Sequence, residues 1–428
     1  MSFSQYESYK QSGANWLGPI PRNWSAARVK TLFEIRKRIA GELGHEVLSV
    51  TQRGLKVRDT ESNDGQLSMD YSKYQLVEPD DFVMNHMDLL TGYVDLSTLH
   101  GVTSPDYRVF TARKKSLSLK FFLYLFQNGY RRRIFYAFGQ GASGLGRWRM
   151  PTDSFNDFIL PVPPLSEQVA IAAFLDRETA KIDALVAEQE RLIELLKEKR
   201  LAVTSHAVTK GLDPTAPMKD TGVEWLGDVP EHWSVAPLRW YSRCSSGDGL
   251  SSEAVDAEPA ESRCIRVFGG NGLMGYTTTG NVEKQVLSVG RVGALCGNVH
   301  IADPPIWITD NALILDVDTA TFDNGYLARV LKARNLNELA SKTAQPLITG
   351  TLLGDQRVPC PPIKEQSQIR NFLDRELSRI DDLTTEVARS IALMQERRAA
   401  LISAAVTGKI DLRGLVEADA TLPDVVAA

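Results

Sequence analysis

The chain has 428 residues, 43% of them hydrophobic and 24% charged, with a formal net charge of −4 at pH 7. This length exceeds one ordinary hydrophobic core and predicts two or three globular domains. A slightly acidic chain has no overall attraction for nucleic acid, so any such binding must come from local basic patches. Because the sequence has no long apolar run, no signal-peptide layout and no paired cysteines, we expect a cytoplasmic protein without membrane spans, zinc sites or disulfides.

A nine-residue tryptophan motif begins each half of the chain. Residues Trp16–Trp24 read WLGPIPRNW, and residues Trp225–Trp233 read WLGDVPEHW, at an offset of 209 residues. Each motif is followed by a body of different sequence and then by a long helical repeat. Nearly copied frames around unlike bodies predict a duplicated scaffold that carries two modules of different specificity.

The first body, from about Lys30 to Leu160, alternates short apolar runs with Gly, Asn and Asp turns, which predicts strands and loops. Its window Tyr107–Thr152 contains ten Lys or Arg residues, interleaved aromatic residues, and no Asp or Glu. A basic strip beside aromatic side chains is typical of a surface that binds a polyanion. A solvated, charged helix face is the alternative interpretation.

A helical repeat follows each body. Residues Pro163–Val208 and Pro361–Val406 align without a gap at a constant offset of 198 residues. Apolar residues recur at steps of three and four on an otherwise polar surface, which is typical of a coiled-coil seam. Because neither stripe can be buried alone, we expect the two helices to pack together. Since a whole globular segment separates the two copies, we expect them to lie antiparallel. The predicted seam consists of Ile171, Leu175, Ile182, Leu185, Leu192, Leu196, Ile369, Leu373, Ile380, Leu383, Met394 and Leu401.

The second half begins with a linker, GLDPTAPMKDTG, which has two prolines and no apolar period. The second body contains VFGGNGLMGYTTTG and VGRVGALCGNVHI. Glycines at this density among β-forming residues predict tight turns and bulges. We therefore expect a small, mostly β module with one helix at Tyr326–Asn335.

Motifs for cofactor chemistry are incomplete. G-x-G-x-x-G begins at Gly139 and at Gly270, but neither match lies between a predicted strand and helix, so loop glycines are favoured over a dinucleotide site. Phe268–Gly272 and Asp303–Ile306 resemble two loops of a DNA methyltransferase. However, isoleucine replaces the aromatic residue that would stack on a base, and the loops are too close in sequence for the expected βα units. We expect no catalytic centre and no metal site.

The order of these motifs strongly resembles the specificity subunit of type I restriction-modification systems. W-L-G-x-x-P-x-x-W, a variable body, P-P-[LI]-x-E-Q-x-x-I-x-x-F-L-D and a long helix recur twice, and VTGKIDLRG is also similar to that family's C-terminus. The resemblance covers nearly the whole chain. It implies an α+β fold with two β-rich target recognition domains, joined by two long helices packed as an antiparallel coiled coil in a pseudo-two-fold internal repeat. The expected segments are a first recognition domain (1–160), a first long helix (161–211), a linker (212–222), a second recognition domain (223–358), a second long helix (359–412) and a loose tail (413–428).

The resemblance also implies the partners. Such a chain would bind double-stranded DNA at an asymmetric bipartite site, one half-site per recognition domain, with the helix pair setting the gap. It would dock two modification subunits, which use S-adenosylmethionine, and restriction subunits, which bring ATP and Mg. The chain itself would hold no cofactor and catalyse no reaction.

Candidate DNA-contacting residues lie in the basic strip, in a turn of the first body and around the glycine loops of the second. Arginine and lysine suit phosphate or guanine, and asparagine suits adenine. The candidates are Arg53, Lys56, Arg58, Arg131, Arg132, Arg133, Arg147, Arg149, Asn271, Tyr276, Arg291, Asn298 and Lys342.

Two other classes of function remain open. One is a coiled-coil scaffold that binds only proteins, against which the acid-free strip argues. The other is a self-contained DNA methyltransferase. Sequence-specific DNA retention would exclude the first, and methyl-donor binding by the isolated chain would support the second.

Overall fold

The computed structural model describes residues 3–59, 70–141, 148–293, 295–341 and 346–414. The chain forms two compact units. Unit 1 consists of Met1–Gln189 and Arg389–Ala428, and unit 2 consists of Glu190–Ala388. Each long helix therefore contributes one half to each unit. Along the described residues, no helix combines the length and the apolar character needed to cross a membrane.

The first half of the chain has short strands and ends in the first long helix. Its strands are β1 (Tyr9–Gln11), β2 (Pro19–Pro21), β3 (Ser25–Arg28), β4 (Phe33–Ile35), β5 (Leu48–Thr51), β6 (Gly54–Val57), β7 (Gln75–Val77), β8 (Phe82–Met84), β9 (Val94–Leu96), β10 (Gly101–Thr103), β11 (Arg108–Ala112) and β12 (Ile159–Val162). Its helices are α1 (Val29–Leu32), α2 (Leu119–Arg131), α3 (Thr152–Asp157) and α4 (Leu165–Lys210).

The second half repeats this order. Its strands are β13 (Met218–Asp220), β14 (Asp228–Pro230), β15 (Ser234–Pro237), β16 (Ser242–Ser246), β17 (Ile265–Gly269), β18 (Gly272–Thr277), β19 (Val286–Gly290), β20 (Val299–Ala302), β21 (Ile306–Ile308), β22 (Ala312–Val317) and β23 (Arg357–Cys360). Its helices are α5 (Asn324–Ala333), α6 (Gly350–Gly354) and α7 (Ile363–Val406).

Unit 1 is built on a four-stranded antiparallel sheet of order β4-β11-β8-β9, against which α2 packs. The apolar positions of these strands and the apolar face of α2 form one core. The ring of Phe33 lies at its centre, 5.2–5.7 Å from the rings of Phe82, Phe110, Phe122 and Phe126. This core fixes the position of α2, whose C-terminal end carries candidate DNA-contacting arginines.

Unit 2 contains a four-stranded antiparallel sheet, β16-β22-β19-β20, and a smaller sheet, β18-β17-β21, whose last two strands are parallel. Helix α5 buries Tyr326 and Leu331 in this core. The structure contains the predicted β-rich module and its helix, and in addition the short helix α6, which was not predicted. Helix α5 begins two residues earlier than expected because Asp323 caps it, accepting from Tyr326 N at 2.9 Å, and it ends before Asn335, whose φ is +50°.

The two long helices contact each other antiparallel within each unit, as predicted. In unit 1, Arg398 of α7 makes a bidentate ion pair with Asp183 of α4, at 2.8 and 3.0 Å. In unit 2, Arg200 of α4 pairs with Asp381 of α7. Both pairs join residues related by the same 198-residue offset, with the helices exchanged. The duplication is therefore expressed as a matched pair of interhelical contacts.

The predicted seam residues differ in burial. Seven of them are buried: Ile171, Leu175, Ile182, Leu196, Ile369, Leu373 and Ile380. Met394 and Leu401 are half-buried. The exposed fractions of Leu185, Leu192 and Leu383 are 49%, 38% and 49%. A pair of helices covers only a narrow strip of each partner, so residues at the margin of the stripe remain in contact with solvent away from the modules.

Duplicated polar anchors attach each tryptophan motif to the first turn of a long helix. Trp24 Nε1 donates to Glu167 Oε2 at 2.8 Å, and Trp233 Nε1 donates to Glu365 Oε1 at 3.0 Å. Both carboxylates lie in the first helical turn, where the helix dipole also favours negative charge. The last W of the motif and the E of P-P-x-x-E-Q therefore form one structural unit in each half.

The glutamine that follows each anchoring glutamate joins the long helix to the helix of the module. Gln168 donates to Pro163 O and accepts from Ser118 N, the N-cap of α2. Gln366 likewise donates to Pro361 O and accepts from Asp323 N, the N-cap of α5. The repeated sequence thus specifies where each module helix docks.

The C-terminal end of each long helix closes against the tryptophan motif of the same unit. Gly408, at φ +71°, follows α7 and lies against Pro21 and Trp24. Gly211, at φ +75°, follows α4 and lies against Trp233. In unit 1 the chain then continues to Leu412, which is buried in the core.

We predict that Gly408→Ala lowers the free energy of unfolding of unit 1 by about 3 kcal/mol, through left-handed backbone strain and overpacking. An added Cβ would lie 2.5 Å from Pro21 Cδ. The matched variant Gly211→Ala should cost about half as much, since its Cβ would lie no closer than 3.2 Å to Trp233. Unit-resolved hydrogen exchange measures both effects, and equal losses in the two variants would contradict the steric argument.

Candidate nucleic-acid interface

Three candidate residues lie on or beside the β5–β6 hairpin of unit 1. The strands pair from Leu48 to Val57, and Thr51 Oγ1 fixes the turn by accepting from Arg53 N at 3.1 Å. The side chains of Arg53 and Lys56 are exposed, whereas Arg58 is half-buried. The hairpin therefore presents two cations to solvent from a short, well-defined turn.

The arginine run Arg131–Arg133 ends α2. Arg131 Nε donates to Tyr93 Oη at 3.0 Å, and its guanidinium lies 5.7 Å from the centre of that ring. Arg133 adopts a left-handed φ of +54°, which stops the helix. All three guanidinium-bearing residues are exposed. The end of α2 thus forms a cationic corner supported by an aromatic ring.

Other basic residues of the acid-free strip have structural roles. Arg108 is only 4% exposed; it donates to Met150 O at 3.2 Å and stacks 4.5 Å from the ring centre of Phe155. Burial lowers its pKa to about 10. Arg113 donates to the Phe33 carbonyl, and Lys120 pairs with Asp176 on α4. Some basic residues of the strip are therefore candidates for binding a polyanion, whereas others stabilise the fold of unit 1.

The last candidates of the strip lie in the segment that follows α2. Arg149 is exposed, and its backbone exchanges two hydrogen bonds with Gln140, at 2.8 and 3.1 Å. That pairing holds Arg149 at a fixed point of the loop. Arg147 lies outside the described residues.

In unit 2 the structure brings two predicted asparagines together. Asn298 Nδ2 donates to Asn271 Oδ1 at 2.9 Å, and both side chains are exposed. Gly272 has φ +93°, and a Cβ there would lie 3.0 Å from the His300 ring. The left-handed backbone and the nearby His300 ring therefore favour glycine at this position of the turn.

Two more candidates of unit 2 occupy other positions. Arg291 donates to Ser246 Oγ at 3.2 Å and lines a cleft of about 570 Å³ with Arg239, Cys244 and Thr349. Tyr276 lies half-buried in β18, where its backbone pairs with that of Asp256. Lys342 lies outside the described residues. Sequence analysis missed this cleft because its walls come from four distant segments.

Among the described residues, the second glycine motif and the Asp303 loop do not acquire the geometry that cofactor chemistry requires, and the motif that begins at Gly139 lies partly outside the described residues. The glycines that begin at Gly270 lie in the β17–β18 hairpin, not between a strand and a helix. Asp303 has structural contacts: its carbonyl accepts from Arg266 at 3.0 Å and its carboxylate from Gln285 at 2.6 Å. Across the described ranges, no three His, Cys, Asp or Glu residues are grouped as metal ligands.

Comparison with known proteins finds similarity to one family. The model for the "Type I restriction modification DNA specificity domain" matches residues 50–195, most of the first module and part of α4. The specificity subunit of the type I restriction enzyme EcoprrI from Escherichia coli is 28% identical over 243 residues, which is 55% of this chain and 56% of that protein. The putative MjaX specificity subunit of Methanocaldococcus jannaschii is 21% identical over 459 aligned positions, covering 96% of this chain and 99% of that one.

Solved structures support the same fold. A chain in a study of complex assembly and conformational transition of the type I R-M system superposes with a TM-score of 0.72, at 15% identity, over 91% of this chain and 99% of its own. The HsdS subunit from Thermoanaerobacter tengcongensis superposes with a TM-score of 0.54, at 14% identity, over 91% and 98%.

The chain therefore has two unlike β-rich modules, each held by the antiparallel long helices. The chain is similar to type I restriction-modification specificity subunits, both in the part of its sequence that the family model matches and along most of its length. The resemblance inferred from the repeated motifs is thereby confirmed.

Proposed function

We propose that this chain is the DNA-recognition subunit of a type I restriction-modification complex. It binds an asymmetric, bipartite DNA sequence, with one half-site read by the module of each unit. The observation that carries the proposal is the repeat itself: the anchors at Glu167 and Glu365 are copied, whereas the modules that they hold differ in sequence and in their smaller sheets, β5-β6 and β10-β7 in unit 1 and β18-β17-β21 in unit 2. Two different modules that are held by equivalent anchors recognise two different half-sites.

In unit 1, the proposed contacts come from the hairpin arginine and lysine, from Arg131–Arg133 and from Arg149. Their exposed guanidinium groups suit phosphate oxygens or the O6 and N7 atoms of guanine. In unit 2, Asn271 and Asn298 present paired amides suited to adenine. Arg291 contacts the DNA backbone nearby. Because the amides already share a hydrogen bond, they would approach a base edge in one fixed arrangement.

The proposed partners are two modification subunits and the translocating restriction subunits of the same system. Those partners bind S-adenosylmethionine, ATP and Mg. This chain recognises the DNA and catalyses no reaction. A cytoplasmic location follows, because the DNA substrate and the proposed partners occur there.

The test is the methylome of cells that carry this chain with its neighbouring modification gene, compared with a deletion of this chain alone. We expect one new methylated motif, made of two short blocks around a fixed gap of unspecified bases. Swapping the second module for that of a relative should change one block only. A well-expressed chain that binds its partner and yields no new motif would contradict the proposal and favour a protein scaffold.

A further inference from the structure

Unit 2 contains a basic cleft that the sequence did not single out. It lies where α5 packs beside α4, and its volume is about 670 Å³. Arg200 of α4 and Arg329 and Lys332 of α5 line it, together with the hydroxyl-bearing residues Thr204 and Ser205. We call this cleft the basic notch.

Two of the three cations in the basic notch are held by acids on α7. Arg200 pairs with Asp381, and Arg329 pairs with Asp374. Lys332 forms no ion pair within the described part of the chain. Partial burial, together with the neighbouring Arg329 and Arg200, lowers the pKa of Lys332. The notch therefore contains two oriented guanidinium groups and one ammonium group that no acid among the described residues neutralises.

Unit 1 has a corresponding cleft at the end of its module helix. Arg398, the counterpart of Arg200 at the 198-residue offset, lines it with Arg131 and Arg133 at the end of α2. Arg398 is again held by an acid of the other long helix, Asp183. The same arrangement, one paired arginine from a long helix facing cations of a module helix, thus occurs independently in both units.

We infer that the basic notch of unit 2 binds the phosphodiester backbone of DNA without reading its sequence. This inference rests on the function proposed for the chain. Guanidinium groups that are already oriented by carboxylates donate to phosphate oxygens at little further entropic cost, and a lysine without a counter-charge supplies a point charge for the same group. Occurrence beside both modules matches a ligand whose backbone is the same at both half-sites.

The residue that tests the inference is Lys332, since removing it breaks no described ion pair. The variant Lys332→Gln is compared with Lys332→Arg, which keeps the charge, and with Lys364→Gln, an exposed charge change elsewhere in unit 2. Each full-length variant is titrated with two labelled duplexes, one carrying the methylated motif and one of scrambled sequence, over a range of KCl concentrations.

For Lys332→Gln we expect about a five-fold loss of affinity for both duplexes and a salt dependence that is smaller by about one counterion. Lys332→Arg and Lys364→Gln should bind like the wild type. A loss confined to the motif duplex would overturn the inference, because Lys332 would then read a base. Unchanged affinity for both duplexes would also overturn it. This holds even if the variant binds the modification subunit more weakly, because Lys332 would then contact that subunit and not DNA.

A failure of the proposed function has a different signature. In that case the wild-type chain itself would not distinguish the two duplexes in the absence or presence of the modification subunit. The comparison of wild type with variant separates the two outcomes.

Discussion

Replacing Glu167 with alanine should lower the free energy of unfolding of unit 1 by about 3 kcal/mol, since it leaves two buried donors, Trp24 and Tyr6, without an acceptor. Glu167 is only 8% exposed. Its Oε2 accepts from Trp24 Nε1 at 2.8 Å and from Tyr6 Oη at 3.0 Å, and its Oε1 accepts from Asn23. Burial and the adjacent carboxylate raise the pKa of Tyr6, so its hydroxyl remains a donor.

The duplicated chain offers an internal control, Glu365→Ala. Glu365 accepts from Trp233 Nε1 at 3.0 Å and from His232 Nε2 at 2.8 Å, but its side chain is 24% exposed and that of His232 is 50% exposed. Water can replace the missing acceptor there, so we expect a loss of about 1 kcal/mol. Hydrogen exchange of peptides from each unit measures the two losses separately, which a single melting temperature of a two-unit chain does not.

Glu167→Gln gives a second control. It keeps one oxygen acceptor but turns an amide donor toward other donors, so its effect should fall between those of the wild type and the alanine variant. If Glu167→Ala left exchange in residues 3–33 unchanged, the anchor would not contribute to the stability of unit 1. If unit 2 lost protection equally, the effect would not be local to the anchor.

Most of the scaffold formed by the tryptophan motifs and the long helices was predictable, because its sequence occurs twice in the chain. The offset of 198 residues identified both long helices and their antiparallel pairing. It also relates Asp183–Arg398 to Arg200–Asp381 without any knowledge of the fold. The pairing of Trp24 with Glu167 was not predicted, although each residue belongs to a repeated motif. A contact between two motifs can be inferred from one sequence only when a specific chemical pairing, here an indole donor and a carboxylate, is sought.

The candidate site was less predictable, because charge in a sequence does not reveal burial. Arg108 and Arg131 belong to the same acid-free strip, yet Arg108 is buried under Phe155 while Arg131 is exposed at the end of α2. The basic notch was missed for the opposite reason. Arg200 and Lys332 are 132 residues apart, so only the packing of α5 beside α4 brings them together. Similarly, the stretch interpreted as a linker contains β13, which pairs with β14.

The largest functional change should follow from lengthening both long helices. Seven added residues extend a helix by about 10 Å, which corresponds to about three base pairs of DNA. We propose that the helix pair sets the gap between half-sites, so a heptad inserted in both helices should lengthen the gap in the methylated motif by about three base pairs. Both half-site sequences should remain unchanged, since the modules and their anchors are untouched.

The two interhelical ion pairs determine where the heptads belong. One insertion lies between Asp183 and Arg200 of α4 and the other between Asp381 and Arg398 of α7, intervals of 17 residues each. Inserted there, both heptads preserve the Asp183–Arg398 and Arg200–Asp381 pairs, whereas a heptad in α4 alone displaces one pair against the other by two turns. The control is a five-residue insertion in both helices, which rotates the following helix by about 140° and should abolish methylation of any spaced motif. An unchanged gap after the double heptad insertion, or an altered half-site, would refute the proposal that the helices set the spacing, because the modules would then find their half-sites independently of helix length.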